Sequence, residues 1–182
     1  MNKNIKILFI GNSHTYMNDL PYLVKYAAEK DGYACDITML AHGGWYLAQH
    51  VRDKEARFNI KYGNYDYIVL QEHAHPFDHI NEFFKASMTL NSWADESESR
   101  VIFFEPWARK NDESAQEQMH LAHTKITEGL NALLAPVGTK WWIYKNNNPD
   151  IELYDEDGAH ASIAGSKFAA RVLWDTIRSS IR

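Results

Sequence analysis

Cysteine is nearly absent from this sequence of 182 residues, where Cys35 stands alone. No disulfide can form within the chain, and no cysteine-based zinc site can be built. A reducing compartment is compatible with this but is not required by it. Basic runs are missing as well. Lys and Arg total 19 against 24 Asp and Glu, a net charge of −5, and no window gathers the cations that track a phosphate backbone, so nucleic acid is not an expected partner. Long apolar runs are also absent. Within Met1 to Ile10 the run Ile7-Leu8-Phe9-Ile10 is shorter than the roughly 7 to 15 apolar residues of a signal peptide, and no stretch approaches the roughly 20 needed to span a membrane. The expectation is a cytoplasmic chain with no membrane partner. There is no repeat, low-complexity tract or linker.

What is present is core-forming material. Apolar residues make up 45% and aromatics 13%, with six Trp, which excludes general disorder. With about 100 to 200 residues per domain as the norm, residues 1–182 are expected to form one domain. Histidine is in excess at nine copies, and it is both a common metal ligand and a common acid–base residue.

Short β-rich runs alternate with helical patterns. Strands are expected at Lys6 to Ile10, Ala34 to Leu40, Tyr67 to Leu70, Arg100 to Phe104 and Trp141 to Tyr144, from their β-branched and aromatic content and their turn-forming flanks. Leu20, Leu23, Val24, Ala27 and Ala28 recur at helical spacing to about Lys30, with Asp19 as cap and Pro21 in the first turn. A short helical stretch is expected to about Lys54, and Ile80, Phe83, Phe84, Ser87 and Leu90 mark another helix. The positions Met119, Ala122, Ile126, Leu130 and Leu133 give one apolar face to a helix over Ser114 to Leu134, and a last helix runs from Ser162 to Ser179 with Phe168, Val172, Leu173 and Ile177 inward. Five strands alternating with helices imply a three-layer α/β/α sandwich around a mostly parallel sheet.

In such a sheet ligands bind beyond the strand C-terminal ends, so the segments that follow the strands should share one rim. These are Gly11-Asn12-Ser13-His14-Thr15, His42-Gly43-Gly44-Trp45, Gln71-Glu72-His73-Ala74-His75 and Glu105-Pro106-Trp107-Ala108-Arg109, joined by Asp155-Glu156-Asp157-Gly158-Ala159-His160. A hydroxyl nucleophile needs a base within reach and a third group to orient that base. Ser13 at a strand-to-helix turn, His160 as base and Asp157 as its orienting carboxylate meet that need.

The run Ile7-Leu8-Phe9-Ile10-Gly11-Asn12-Ser13-His14-Thr15, with Asp157-Gly158-Ala159-His160-Ala161-Ser162 and Gly165, resembles the first and last blocks of the SGNH (GDSL-type) hydrolases. The order of elements is similar over nearly the whole chain. The resemblance implies a flavodoxin-like fold and a serine esterase with Ser13, Asp157 and His160 as its triad. The backbone N–H groups of Ser13 and Gly44 would form an oxyanion hole, with Gly43 as the neighbour able to replace Gly44. The sequence departs from the family where Asn12 stands for the usual acid before the serine, and where Gln71-Glu72-His73 stands in place of Gly-x-Asn. The amide of Gln71 is the preferred substitute for that asparagine as a third oxyanion donor, with the His73 ring as the other candidate. The implied partner is a small-molecule ester such as an O-acetylated sugar, and no cofactor is implied.

Two other readings compete. His73-Ala74-His75-Pro76-Phe77-Asp78-His79 resembles the HxHxDH metal motif of metallo-β-lactamase-like hydrolases, although the interval from His75 to Asp78 is one residue too long, and a metal-dependent hydrolase on His73, His75 and His79 would follow from it. The same crevice could instead serve a non-catalytic, flavodoxin-like binding domain. His14, Trp45, His73 and Trp107 fall on the rim as candidate substrate contacts, and Arg109 is a candidate contact for an anionic group.

Overall fold

A computed structural model describes residues 4–181 of the protein; the first three residues of the segment read for a leader lie outside that range. Five strands form one fully parallel sheet: β1 (Ile5–Gly11), β2 (Cys35–Ala41), β3 (Tyr67–Gln71), β4 (Arg100–Phe104) and β5 (Leu133–Ala135), in the order β2-β1-β3-β4-β5. The helices are α1 (Ser13–Tyr16), α2 (Leu20–Lys30), α3 (Leu47–Arg52), α4 (Lys54–Gly63), α5 (Ile80–Glu96), α6 (Ala115–Leu130), α7 (Val137–Asn147) and α8 (Ile163–Ser180). The three-layer α/β/α architecture read from the alternation of elements is therefore present.

Side chains alternate across a strand, and the sheet uses that alternation to build two cores. Ile5, Ile7 and Phe9 of β1, with Val69, Ile102 and Phe104, pack against α2, α7 and α8 through Val24, Trp141, Leu173 and Trp174. Leu8 and Ile10, with Ile68, Leu70 and Phe103, face α3, α4 and α5 through Leu47, Ile60, Phe83 and Leu90. Helix α6 serves both, with Met119 in the first core and Ala122 and Ile126 in the second. No helix among the described residues is long and apolar enough to cross a membrane.

The fifth strand is not where the residue pattern put it. Trp141 to Tyr144 lies inside α7, where Trp141 and Trp142 are buried, and the strand is the three-residue Leu133–Ala135. Helix α6 stops at Leu130 because Asn131 takes the left-handed conformation as its cap, so Leu133, read as the end of the helical face, belongs to β5. A strand this short has no periodicity of its own, and the β propensity of Trp141 to Tyr144 yields to packing of a helix against the sheet. Between β2 and β3 the single short helical stretch is two helices, α3 and α4, joined at Asp53, whose side chain caps the second by accepting from Glu55 N–H. Asp19 precedes α2 but makes no capping hydrogen bond, while Pro21 sits in the first turn as expected.

The strand order reverses direction between β1 and β3. That is the topological switch point where open parallel sheets form a crevice, and it places the turns after β1, β2, β3 and β4 around one edge.

Candidate active site

The turn that carries Ser13 is built by Asn12. Its backbone leaves the strand, its side-chain Oδ1 accepts from His14 N–H at 3.1 Å, and its carbonyl accepts from Thr15 and Tyr16 N–H. Asn12 is thus the helix N-cap. With Asn12 in the capping position, the Ser13 hydroxyl is left for other chemistry. The amide of Asn12 also donates through Nδ2 to the carbonyl of Trp45 at 2.9 Å. A carboxylate could cap His14 but could not make that second bond, which explains asparagine where the resembled family commonly has an acid.

The Ser13 hydroxyl lies 2.8 Å from His160 Nε2, and His160 Nδ1 lies 2.5 Å from Asp157 Oδ2. With Asp157 ionised, Nδ1–H donates to the carboxylate, and Nε2 accepts from the serine O–H. The other carboxylate oxygen of Asp157 accepts from the backbone N–H groups of Ala159 and His160, at 2.8 and 2.9 Å. Burial alone would raise the Asp157 pKa, but the bond from His160 and the two backbone donors together hold it well below the usual carboxylate range. Its charge persists at any pH where the imidazole works. The three residues expected as a triad from opposite ends of the chain are within hydrogen-bonding reach.

The loop after β2 carries the glycine expected to face the oxyanion. Gly44 has φ +73° and is exposed, and a Cβ there would strain the backbone. Neither Ser13 N–H nor Gly44 N–H meets a protein acceptor among the described residues. The loop is fastened at four points: His42 N–H to the Gly11 carbonyl, Trp45 N–H to the His42 carbonyl, the Asn12 amide to the Trp45 carbonyl, and Leu47 N–H to Glu72 Oε2. His50, buried on α3, adds a bond from Nε2 to the same Gly11 carbonyl at 2.8 Å.

Gln71 does not present the donor expected of it. It is fully buried, its Oε1 accepts from Asn12 N–H at 3.0 Å and from Thr15 Oγ1 at 2.9 Å, and one N–H of its Nε2 donates to the Glu72 carbonyl. Its amide braces the Ser13 turn from beneath the sheet edge. His73 is no replacement in its neutral form, since its Nδ1–H donates to the Pro76 carbonyl at 3.1 Å and Nε2 then carries a lone pair. Neither side chain adds an accessible donor to the unpartnered Ser13 and Gly44 N–H groups among the described residues.

Of the four candidate substrate contacts, two are withdrawn from the surface. Trp107 is 1% exposed, stacks on Trp141 at 4.1 Å between ring centroids, and donates Nε1–H to the Ala159 carbonyl at 2.8 Å. His14 is also buried. Trp45 and His73 remain half-buried, in two stacked pairs: His42 with Trp45 at 4.0 Å, and Tyr46 with His73 at 4.3 Å. Tyr46 had not been singled out in the sequence; its place two residues after Gly44 was the available signal. A 360 Å³ cavity lined by His75, Arg109, Asp112 and Gln118 adjoins the site.

The histidines of the HxHxDH-like run are not brought together as metal ligands. His75 Nε2–H donates to the Trp107 carbonyl, and His73 and His79 each pack on Tyr46. Among the described residues one group has ligand atoms close enough to share an ion, His42 with Asp53 and Glu55, within 4.8 Å of one another. It includes none of the three.

Neither a family model nor a curated protein matches the sequence. Solved structures match across its length. A structure of TesA shares 11% identity with a TM-score of 0.78, covering 97% of this chain and 99% of that one. An acetyl xylan esterase, AlAXEase, shares 17% at 0.77, with 97% and 100% covered. A GDSL-like lipase of Parabacteroides merdae shares 14% at 0.76, with 97% and 96% covered. The described residues have the SGNH (GDSL-type) hydrolase fold, as the first and last sequence blocks implied.

Two outcomes follow from these contacts. Asn12→Asp keeps the helix cap but sets a carboxylate against the Trp45 carbonyl, so kcat/KM on an activated ester should fall about 10- to 100-fold, the scale of one unsatisfied buried group; an unchanged value would contradict the assigned role. Burial pushes the Glu72 carboxyl up to about 7 against the bonds from His73 and Leu47 N–H. The unfolded chain therefore binds fewer protons than the folded one between about pH 4.5 and 7, and the contribution of this group to stability declines as pH rises through that window. In urea titrations at a series of pH values, Glu72→Gln should gain on the wild type across that interval, by up to about 3 kcal/mol at one pKa unit per 1.4 kcal/mol. Parallel pH profiles would refute it.

Proposed function

We propose that the protein is a serine esterase that removes a small acyl group from an ester through an acyl-enzyme. The observation that carries this reading is the contiguous hydrogen-bonded line from Ser13 Oγ through His160 to Asp157 Oδ2. In the proposed sequence, Ser13 Oγ attacks the ester carbonyl while its proton passes to His160 Nε2. The resulting imidazolium is stabilised by Asp157. The carbonyl oxygen, now negative, takes the N–H groups of Ser13 and Gly44. As the tetrahedral centre collapses, His160 returns the proton to the departing alcohol oxygen and the acyl group stays on Ser13. Water then attacks the acyl carbonyl with His160 again as base, which releases the acid and restores the serine.

Each oxyanion donor is typically worth about 2.7 to 4 kcal/mol in the barrier. A hole of two backbone donors supports turnover, and a slower one than three would.

A carbohydrate O-acetyl ester is the substrate class we infer. The half-buried ring pairs His42–Trp45 and Tyr46–His73 flank the Gly43-Gly44 loop, and aromatic faces of this kind suit the apolar faces of sugar rings. A structurally similar protein is an acetyl xylan esterase. A small acyl group attached to a larger sugar alcohol matches a site with aromatic surface around the nucleophile.

Ser13→Ala should lower kcat on p-nitrophenyl acetate by about four orders of magnitude or more, with circular dichroism unchanged. Retention of wild-type turnover would overturn the assignment. A folded wild type that hydrolyses neither this ester nor acetylated xylan oligosaccharides would favour the non-catalytic binding domain.

A further inference from the structure

The proposed mechanism leaves His14, His75 and Trp107 without a role, yet His14 packs against the catalytic base and the other two pack against His14. The His14 ring packs against three others: His160 at 5.0 Å between centroids and 34° between planes, His75 at 5.0 Å and 61°, and Trp107 at 5.2 Å and 50°. Hydrogen bonds tie the set together. His75 Nε2–H donates to the Trp107 carbonyl at 3.0 Å, and Trp107 Nε1–H donates to the carbonyl of Ala159, the residue before His160. The Ala159 carbonyl also faces His14, where it acts to raise the ring's pKa against the effect of burial. The contributors come from the turns after β1, β3 and β4, and Trp107 is itself backed by Trp141 of α7.

We propose that His14 is a positioning residue for the catalytic base, its ring forming the wall that sets the plane of the His160 imidazole, with His75 and Trp107 bracing that wall. The ring is the part nothing else supplies, because the Ala159 carbonyl is held by Trp107 as well. The inference rests on the reading of Ser13, Asp157 and His160 as a triad.

The electrostatics fit a wall and not a second base. Burial first, and then the nearby His75, His160 and His73, hold the His14 pKa well below that of an ordinary histidine. Burial likewise brings His75 down to about 4, with Arg109, His73 and His160 adding to it against the bond to the Trp107 carbonyl. Both rings are uncharged at neutral pH. A cation at either would oppose the imidazolium that forms at His160 when it takes the serine proton, whereas neutral rings confine the base without that penalty. His14 Nε2 is buried and has no hydrogen-bond partner among the described residues, as expected of a group used for its face.

Replacement variants separate ring from polarity. His14→Phe keeps a ring and loses the imidazole nitrogens; His14→Leu and His14→Asn lose the ring, and Asn keeps a polar N–H group. We expect kcat on p-nitrophenyl acetate to drop at least about tenfold in Leu and Asn, with KM within about twofold, and to stay within about threefold of wild type in Phe, since a small misplacement of a reacting group is felt in the rate. In proton NMR spectra, the downfield N–H resonance of His160 bonded to Asp157 should be sharp in the wild type and Phe variant, and broadened or lost in the other two. Wild-type kcat and a sharp resonance in either folded ringless variant would overturn the proposal, as would a Phe variant as slow as they are. Because the resonance is read without turnover, it still decides the positioning role if the esterase reading fails.

Discussion

A single hydrogen bond, from Ser13 Oγ to His160 Nε2, joins side chains 147 positions apart in the sequence, and almost every other polar feature near the sheet edge serves to hold its two ends in register. A loose meeting of this kind would have little value, because a proton passes only between groups held within hydrogen-bond reach in the right orientation. The parallel sheet supplies the coarse alignment by delivering all its strand ends to one edge. The fine alignment comes from buried polar side chains beneath that edge. Gln71 braces the turn of Asn12 and Thr15, Asn12 links that turn to the Gly44 loop, and Glu72 closes the far side of the loop against α3.

The same logic recurs one layer further out. Glu105, at the end of β4, is fully buried, with its carboxylate accepting from Gln116, His120 and Thr139. It binds α6 and the start of α7 to the sheet, and Trp141 of α7 backs Trp107. A buried carboxyl group is costly unless its oxygens are met by donors, and here four donors meet it. Several of the nine histidines have such duties. His50, His75 and His123 each bond a backbone carbonyl, His120 bonds Glu105, and one of the nine, His160, contacts the serine.

Much of this was legible in the sequence, and the exceptions have physical causes. Four of the five strands and the long helices followed from periodicity and turn residues. The meeting of Ser13, His160 and Asp157 followed from two short motifs whose residues are nearly contiguous: Ser13 beside Gly11 and Asn12, and Asp157 three positions before His160. Where residues meet only through the tertiary fold, the pattern was silent. Positions 14, 75, 107 and 160 share no spacing that could announce a ring cluster. Gln71 was recognised as a polar group at the right strand end, but which way an amide points is settled by its neighbours and not by its type. Trp107 was assigned to the rim because its segment lies there, and burial against Trp141 was invisible because Trp141 itself had been read as a strand.

The account stands on Ser13 being a nucleophile activated by His160, and covalent capture tests that directly. Intact-mass and peptide mass spectrometry after treatment with a fluorophosphonate should find one adduct per chain, on the peptide containing Ser13, with labelling slowed by orders of magnitude in His160→Ala. A folded protein that stays unlabelled, or that is labelled at another serine, or at Ser13 equally fast without His160, would contradict it.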